Sequence, residues 1–351
     1  MLSRMASSLY WIGRYVERAE QTARITDVTF SHTLTMGSTP EAEARRHRHW
    51  MALLDIVGER AAFAPEEGAD DEETVPQHLL FSSQNPNSIV ECIARSRENA
   101  RTMRNQLATE MWEALNRFHL DVLRPGRRRR RVGEGSESAS RFCMSVVEFS
   151  QLLQGITDST MPREEGWYFL QAGKFLERAE WTARVLDVNY RLLVGEDTER
   201  GDRAALASAD SDVQPWATLL RSLSAYESYH RISSTGIQPS GVIELLTLSP
   251  VLPRSIRFSV AAVEAALRHI TDEAPSYNGS EPMPGATVES DASREIGRLH
   301  AELAYQRLND LFDQGLHRSL LEVQRRCYRI GAAVEDEFFA HQPLTAQEMM
   351  A

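Results

Sequence analysis

The sequence predicts an all-α protein: a helical bundle from two duplicated helical units plus a C-terminal helical segment. Three observations carry that prediction. Apolar residues recur at helical spacing over long stretches, strand-like alternation is weak, and one charged sixteen-residue segment occurs twice. Long polar linkers between amphipathic helices favour a bundle over a sheet.

From Ile12, apolar residues return at Tyr15, Val16, Ala19, Ala23 and Phe30, the stripe of one α-helix face. Further helical patterns cover 41–58, 110–123, 139–157, 162–194, 213–232, 254–271 and 291–340. Asn85-Pro86 ahead of Ser88-Ile89 reads as an N-cap followed by proline in the first turn. Pro253 ahead of Arg254-Ser255-Ile256 reads as a second such start. Acidic residues 61–77 with Pro65 and Pro76 mark the first break. Residues 125–138 mark the next, with Pro125, Gly126, the run Arg127 to Arg131, Gly133 and Gly135. Polar residues 195–212, and 272–290 with Pro275, Gly279, Pro282, Pro284 and Gly285, complete the set. The expected organisation is a first repeat over 1–124, a linker over 125–138, a second repeat over 139–271 and C-terminal helices over 291–340.

The repeat is read from Gly13–Val28 against Gly173–Val188. At a constant offset of 160, ten of sixteen residues are identical. Trp50, Leu53 and Leu54 match Trp216, Leu219 and Leu220 at offset 166, and Ser88-Ile89 matches Ser255-Ile256 at offset 167. At about 100° per residue, Arg14, Glu17, Arg18, Gln21 and Arg24 oppose the apolar stripe, with Glu20 and Asp27 at its border. The second copy repeats the set with Lys174, Glu177, Arg178, Glu180, Arg184 and Asp187. Glu20 and Arg24, like Glu180 and Arg184, have the favourable acid-first spacing of four.

Glu17, Arg18, Glu20, Arg24 and Asp27 recur unchanged as Glu177, Arg178, Glu180, Arg184 and Asp187, while apolar positions differ, as Tyr15 does from Phe175 and Val16 from Leu176. The polar side is therefore the more tightly constrained. Three readings follow. The pairs are buried between the repeats and fix helix register; or they line a polar cavity, with arginines for a carboxylate or phosphate and glutamates for an amine or cation; or they form a solvated face.

Composition narrows the function classes. A net charge of −11 argues against general binding of nucleic acid or an anionic membrane surface. Cys92, Cys143 and Cys327 are far apart and odd in number, which suits reduced thiols in the cytoplasm. The start lacks the pattern of a signal peptide, and no run of about 18 apolar residues occurs. A cytoplasmic location is expected.

Other candidates carry less. Glu227-Ser-Tyr-His230 has the spacing of a di-iron motif, but such sites need two, so no metal site and no cofactor are expected. His300 and His317 lie on helical patterns, where a lone histidine is commonly a hydrogen-bonded structural residue. Neither a phosphate-binding glycine loop nor a nucleophile elbow is found. Arg95, Arg97, Arg101 and Arg104 either reach the charged centre or pair locally with Glu91 and Glu98. The Arg127–Arg131 run reads as a solvated loop. Trp112, Trp167 and Tyr168 are assigned to the core.

Several blocks together resemble one family. Ser8–Glu20, Asn85–Ile89, Arg97–Arg101, Glu110–Asn116, Gly155–Met161, Arg163–Trp167, Phe175–Glu180, Pro253–Ile256 and Gly315–His317 resemble, in order, the bacterial alpha-E family. The resemblance spans nearly the whole chain. It places the family's Glu-Arg pairs on Glu17-Arg18 and Glu177-Arg178. It implies a role beside circularly permuted ATP-grasp proteins, with transglutaminase-like peptidases and a proteasome-like hydrolase as frequent neighbours, in the synthesis or modification of a peptide or amide. Lys174 stands where the first copy has Arg14, which weakens a two-armed clamp there, and the five-arginine run lies outside the family pattern.

The first expectation is an accessory subunit that partners an ATP-grasp ligase and holds a peptide or amino-acid ligand. Its candidate polar centre is Glu17, Arg18, Glu20, Arg24, Glu177, Arg178, Glu180 and Arg184, with Arg14, Arg97, Arg101, His300 and His317 as secondary candidates. The alternatives are a purely structural helical scaffold and an enzyme using paired Glu and Arg in amide or peptide chemistry.

Overall fold

The computed structural model describes residues 3–65, 70–123, 136–194, 213–234, 236–272 and 290–339. Among these residues every regular element is a helix. The Arg127–Arg131 run and most of the linkers at 195–212 and 272–290 lie outside the described residues.

The first half holds α1 (Ser3–Thr33), α2 (Pro40–Val57), α3 (Asp71–Pro76), α4 (Ile89–Thr102), α5 (Thr109–Leu123) and α6 (Ser136–Thr160). A π-helical turn (Gln77–Phe81) follows α3, and a 3₁₀ turn (Arg104–Gln106) follows α4. The second half holds α7 (Glu165–Val194), α8 (Gln214–Ser222), α9 (Tyr226–Ile232), α10 (Pro239–Leu248) and α11 (Ile256–Asp272). It continues with α12 (Asp291–Tyr305), α13 (Leu308–Gln314), α14 (Leu316–Val334) and a closing π-helical turn (Glu335–Phe339).

Local chemistry sets the boundaries. Thr39 caps α2, accepting from the Ala42 amide at 3.2 Å, and Gly58 ends it at φ 79°, where a side chain would be strained. Ser88 caps α4 and Ser255 caps α11. Asn85 is therefore not the cap expected from sequence. Its side chain instead accepts from the Asn87 amide in a turn ahead of the helix, and Pro86 stays outside. Two long patterns divide. The 213–232 stretch breaks at Ser224, whose φ is 51°, and the 291–340 stretch breaks at Gln306 and at Gly315 (φ 87°). Helices α3 and α10 are too short to announce themselves by periodicity.

The contacts repeat between halves. Helix α1 packs on α4 and α6, α4 on α5, and α5 on α6. Helix α7 packs in the same way on α11 and α14, α11 on α12, and α12 on α14. In these contacts α12 and α14 stand to α7 and α11 as α5 and α6 stand to α1 and α4. The most extensive contact of all joins α1 to α7.

Two glycines permit that contact. A Cβ on Gly13 would lie 2.3 Å from the Leu170 carbonyl oxygen, and one on Gly173 would lie 2.1 Å from that of Tyr10. Only glycine lets the two backbones approach this closely. The glycines are themselves an offset-160 pair, so they mark a pseudo-twofold relation between α1 and α7. Contacts advance together along both helices, from Tyr10 with Gly173 to Glu17 with Arg178, so the helices run in parallel. Helix α1 is consequently buried on both faces. Leu9, Ile12, Val16, Ala19 and Ala23 enter the apolar core, while Glu17, Glu20 and Gln21 are buried on the polar side.

Candidate functional site

Four residues beyond the glycine contact, each Glu-Arg pair meets its counterpart. Arg178 donates to Glu17 through Nε (2.8 Å, to Oε1) and Nη2 (2.7 Å, to Oε2). Arg18 donates to Glu177 through Nε (2.6 Å, to Oε1) and Nη2 (3.0 Å, to Oε2). The two forks are reciprocal across the pseudo-twofold, and the planar guanidinium matches the carboxylate in both. Glu17 is 1% exposed, and Glu177 and Arg178 are each 4% exposed.

A second layer encloses the forks. Arg14 donates to Glu177 at 2.7 Å and to Glu180 at 3.0 Å. Arg254, from the turn before α11, donates to Glu17 at 3.2 Å and to Glu20 at 2.5 Å. Arg254 thus does for Glu17 and Glu20 what Arg14 does for Glu177 and Glu180. Arg24 pairs with Glu20 at 2.8 Å and Arg184 with Glu180 at 2.5 Å, four residues apart as the spacing predicts. Ser150 donates to Glu20 at 2.6 Å, and Asn87 accepts from Arg18 at 2.5 Å.

The electrostatics follow from this geometry. Burial alone would raise the Glu17 pKa, but Arg178 and Arg254 overcome it and hold the carboxyl at about 2. Glu177 is likewise pulled against burial to about 2 by Arg18 and Arg14. Burial opposes ionisation of Glu20 as well, yet Arg254 lowers its pKa. These carboxylates remain ionised at neutral pH. The three cysteines are free and buried, and burial pushes the Cys92 thiol up to about 12.

All eight residues expected to form the polar centre meet there, as does Arg14. The other secondary candidates lie elsewhere. Arg97 donates to Asn116 at 2.8 Å and lies over Trp112, because α4 turns that face towards α5 and away from α7. Arg101 is exposed and pairs with Glu98. His300 bonds Glu264, and His317 bonds the buried Asp187 at 2.5 Å. Both histidines join neighbouring helices outside the Glu-Arg centre. Trp112, Trp167 and Tyr168 are only partly buried, with Arg163 over the Trp167 ring and Tyr168 stacked on His269.

Arg254 and Ser150 complete the centre without having been expected there. Arg254 has Asn87 as its counterpart in the first repeat, so matching the copies passes over it. The run Pro253-Arg254-Ser255 at a helix start was the available signal. Among the described residues no group of three or more His, Cys, Asp or Glu side chains is arranged to hold a metal ion. None of the described helices is long and apolar enough to cross a membrane.

Space is scarce at the centre. The recess beside Glu17, lined also by Gln154, Asp158 and Lys174, has a volume of about 20 Å³, room for one water-sized molecule. A groove of about 880 Å³ lies apart from it, among α9, α10, the start of α11 and α13.

Comparison with known proteins places this architecture. Uncharacterized proteins of Mycobacterium bovis and Mycobacterium tuberculosis are each 24% identical over 339 residues, covering 91% of this chain and 34% of theirs. The chain thus spans about a third of the length of the curated relatives it matches. No solved structure matches it. The model of the Alpha-E family, a predicted alpha-helical domain with a conserved ER motif, matches residues 1–339, and the chain belongs to that family.

Proposed function

We propose that this protein is a non-catalytic subunit of an ATP-grasp-type peptide or amide ligase system, a rigid helical platform that holds a peptide or amino-acid substrate for its partner. The observation that carries the reading is that the Glu-Arg sets are engaged with each other. A general acid or base needs a carboxyl poised near neutral pH and within reach of substrate. Glu17 and Glu177 are held at about 2 and face guanidiniums in a closed centre.

Ligand contact then falls to the 880 Å³ groove, which is within the size range of small-molecule sites. Its walls carry Arg257, Arg307 and Glu244, none of them in an ion pair among the described residues. The Arg257 Nε is buried without a hydrogen-bond partner. Arg257 donates through Nη1 to the Leu248 carbonyl at 3.3 Å and has no carboxylate partner; guanidiniums without a carboxylate beside Glu244 complement a zwitterion, with the ligand's carboxylate on the arginines and its amine on Glu244. The relatives' greater length also suits a module working beside other domains.

The test is reconstitution with the ATP-grasp ligase. Ligase turnover should require this chain, and Arg257→Ala should reduce it while leaving the melting curve intact. Full turnover without the chain would overturn the reading. The closed centre also favours a second reading, a purely structural scaffold. That reading would stand if turnover required the chain but ignored Arg257, Arg307 and Glu244.

A further inference from the structure

Of the 39 lysine and arginine residues in the chain, Lys174 is the single lysine. It sits at the pseudo-twofold mate of Arg14. Symmetry would have it hold Glu17 and Glu20 as Arg14 holds Glu177 and Glu180, yet Arg254 takes both carboxylates. Among the described residues Lys174 has no hydrogen-bond or ion-pair partner, and its Nζ lies 4.9 Å from the Phe175 ring. It borders the 20 Å³ recess with Glu17, Gln154, Thr157 and Asp158. A partly buried ammonium that has one aromatic face and no hydrogen-bond acceptor is under-satisfied, which makes it a poor structural device. Arginine fills the equivalent structural place at position 14 and every other basic position in the chain.

We propose that Lys174 is a reactive amine, the site at which this protein forms an imine with a compact aldehyde. Four charged groups act on it. Arg178 shares its helix, Glu17 and Glu20 face it from α1, and Asp158 faces it from α6. Burial, helped by Arg178, pushes the amine's pKa down to about 8 against the pull of the three carboxylates. A useful fraction is therefore unprotonated near neutral pH.

The amine lone pair attacks the carbonyl carbon, and the carbonyl oxygen takes up the amine proton to give a carbinolamine. The hydroxyl then leaves as water with a proton from solvent, giving an iminium and one water. The iminium keeps the positive charge that Glu17, Glu20 and Asp158 face, whereas acylation would remove it. The small recess restricts the electrophile to a compact one. The inference is independent of the proposed ligase partnership.

The test uses formaldehyde and cyanoborohydride on the folded full chain at pH 7.5, with methylated peptides mapped by mass. The only competing aliphatic amine is the chain's α-amine, which maps to a different peptide. A pKa near 8 in place of about 10.4 gives roughly two-hundredfold more free amine at this pH. Lys174 should label at least about tenfold faster than Nα-acetyl-lysine amide, with a half-maximal rate near pH 8. Lys174→Arg should abolish that peptide's label and keep the wild-type circular dichroism. Labelling no faster than the reference amine, or labelling seen only in the urea-unfolded chain, would overturn the proposal.

Discussion

Replacing Glu17 with glutamine removes one negative charge from a point where two guanidiniums converge. Glu17 accepts two bonds from Arg178, at 2.8 and 2.7 Å, and one from Arg254 at 3.2 Å, and it is almost wholly buried. The amide preserves volume, so the loss is electrostatic. Removing one member of a buried pair costs about 3–5 kcal/mol, because the remaining charge is left uncompensated. The pKa gives a second figure. A carboxyl at about 2 in the folded chain, against an ordinary 4.5, contributes on the order of 3 kcal/mol. Because folding lowers this pKa, the contribution is complete above about pH 5 and disappears as pH falls towards 2. Glu17→Gln should therefore be about 3 kcal/mol less stable than wild type at pH 7, with the difference shrinking from pH 5 to pH 3. Urea unfolding followed by far-ultraviolet circular dichroism at several pH values measures both. A difference below about 0.5 kcal/mol at pH 7, or one that does not change with pH, would refute the reasoning.

Gly173→Ala should destabilise by about 2 kcal/mol or more, because the new Cβ meets the Tyr10 backbone at 2.1 Å and neither helix can yield. Gly155→Ala, with nothing within 4 Å, should be neutral or stabilising by up to about 1 kcal/mol; thermal unfolding of the two variants makes the comparison. Arg101→Ala should stay within about 0.5 kcal/mol of wild type in urea, since its pair with Glu98 is exposed. A chromogenic disulfide reagent should leave the native thiols of Cys92, Cys143 and Cys327 unmodified at pH 8, and should titrate all three in urea.

The sequence exposed the helical class and the charged centre for the same reason. Two copies that differ at Tyr15 and Phe175 but agree at Glu17 and Glu177 mark the polar positions as the constrained ones. Helix α1 also carries polar and apolar faces that both need partners, and a second face with the same Glu-Arg set is the natural partner for the first. What the sequence hid depends on divergence or on distance along the chain. Arg254 has an asparagine as its mate, and Ser150 and Gln154 reach Glu20 from α6, more than a hundred residues away. The breaks inside 213–232 and 291–340 rest on a few turn residues, such as Ser224 and Gly315, which a periodicity window averages away. His317 and His300 sit on helices as expected, but only the fold shows that each bonds a carboxylate away from the Glu-Arg centre.

Whether reciprocal Glu-Arg forks join the two halves is tested most directly by a double-mutant cycle on Glu17 and Arg178, using Glu17→Gln, Arg178→Met and both together in urea unfolding. Directly bonded residues should show a coupling of at least about 1 kcal/mol, and the Glu177 and Arg18 cycle should give a similar value. Single effects that simply add, to within about 0.3–0.5 kcal/mol, would mean that Glu17 and Arg178 do not meet in the folded protein.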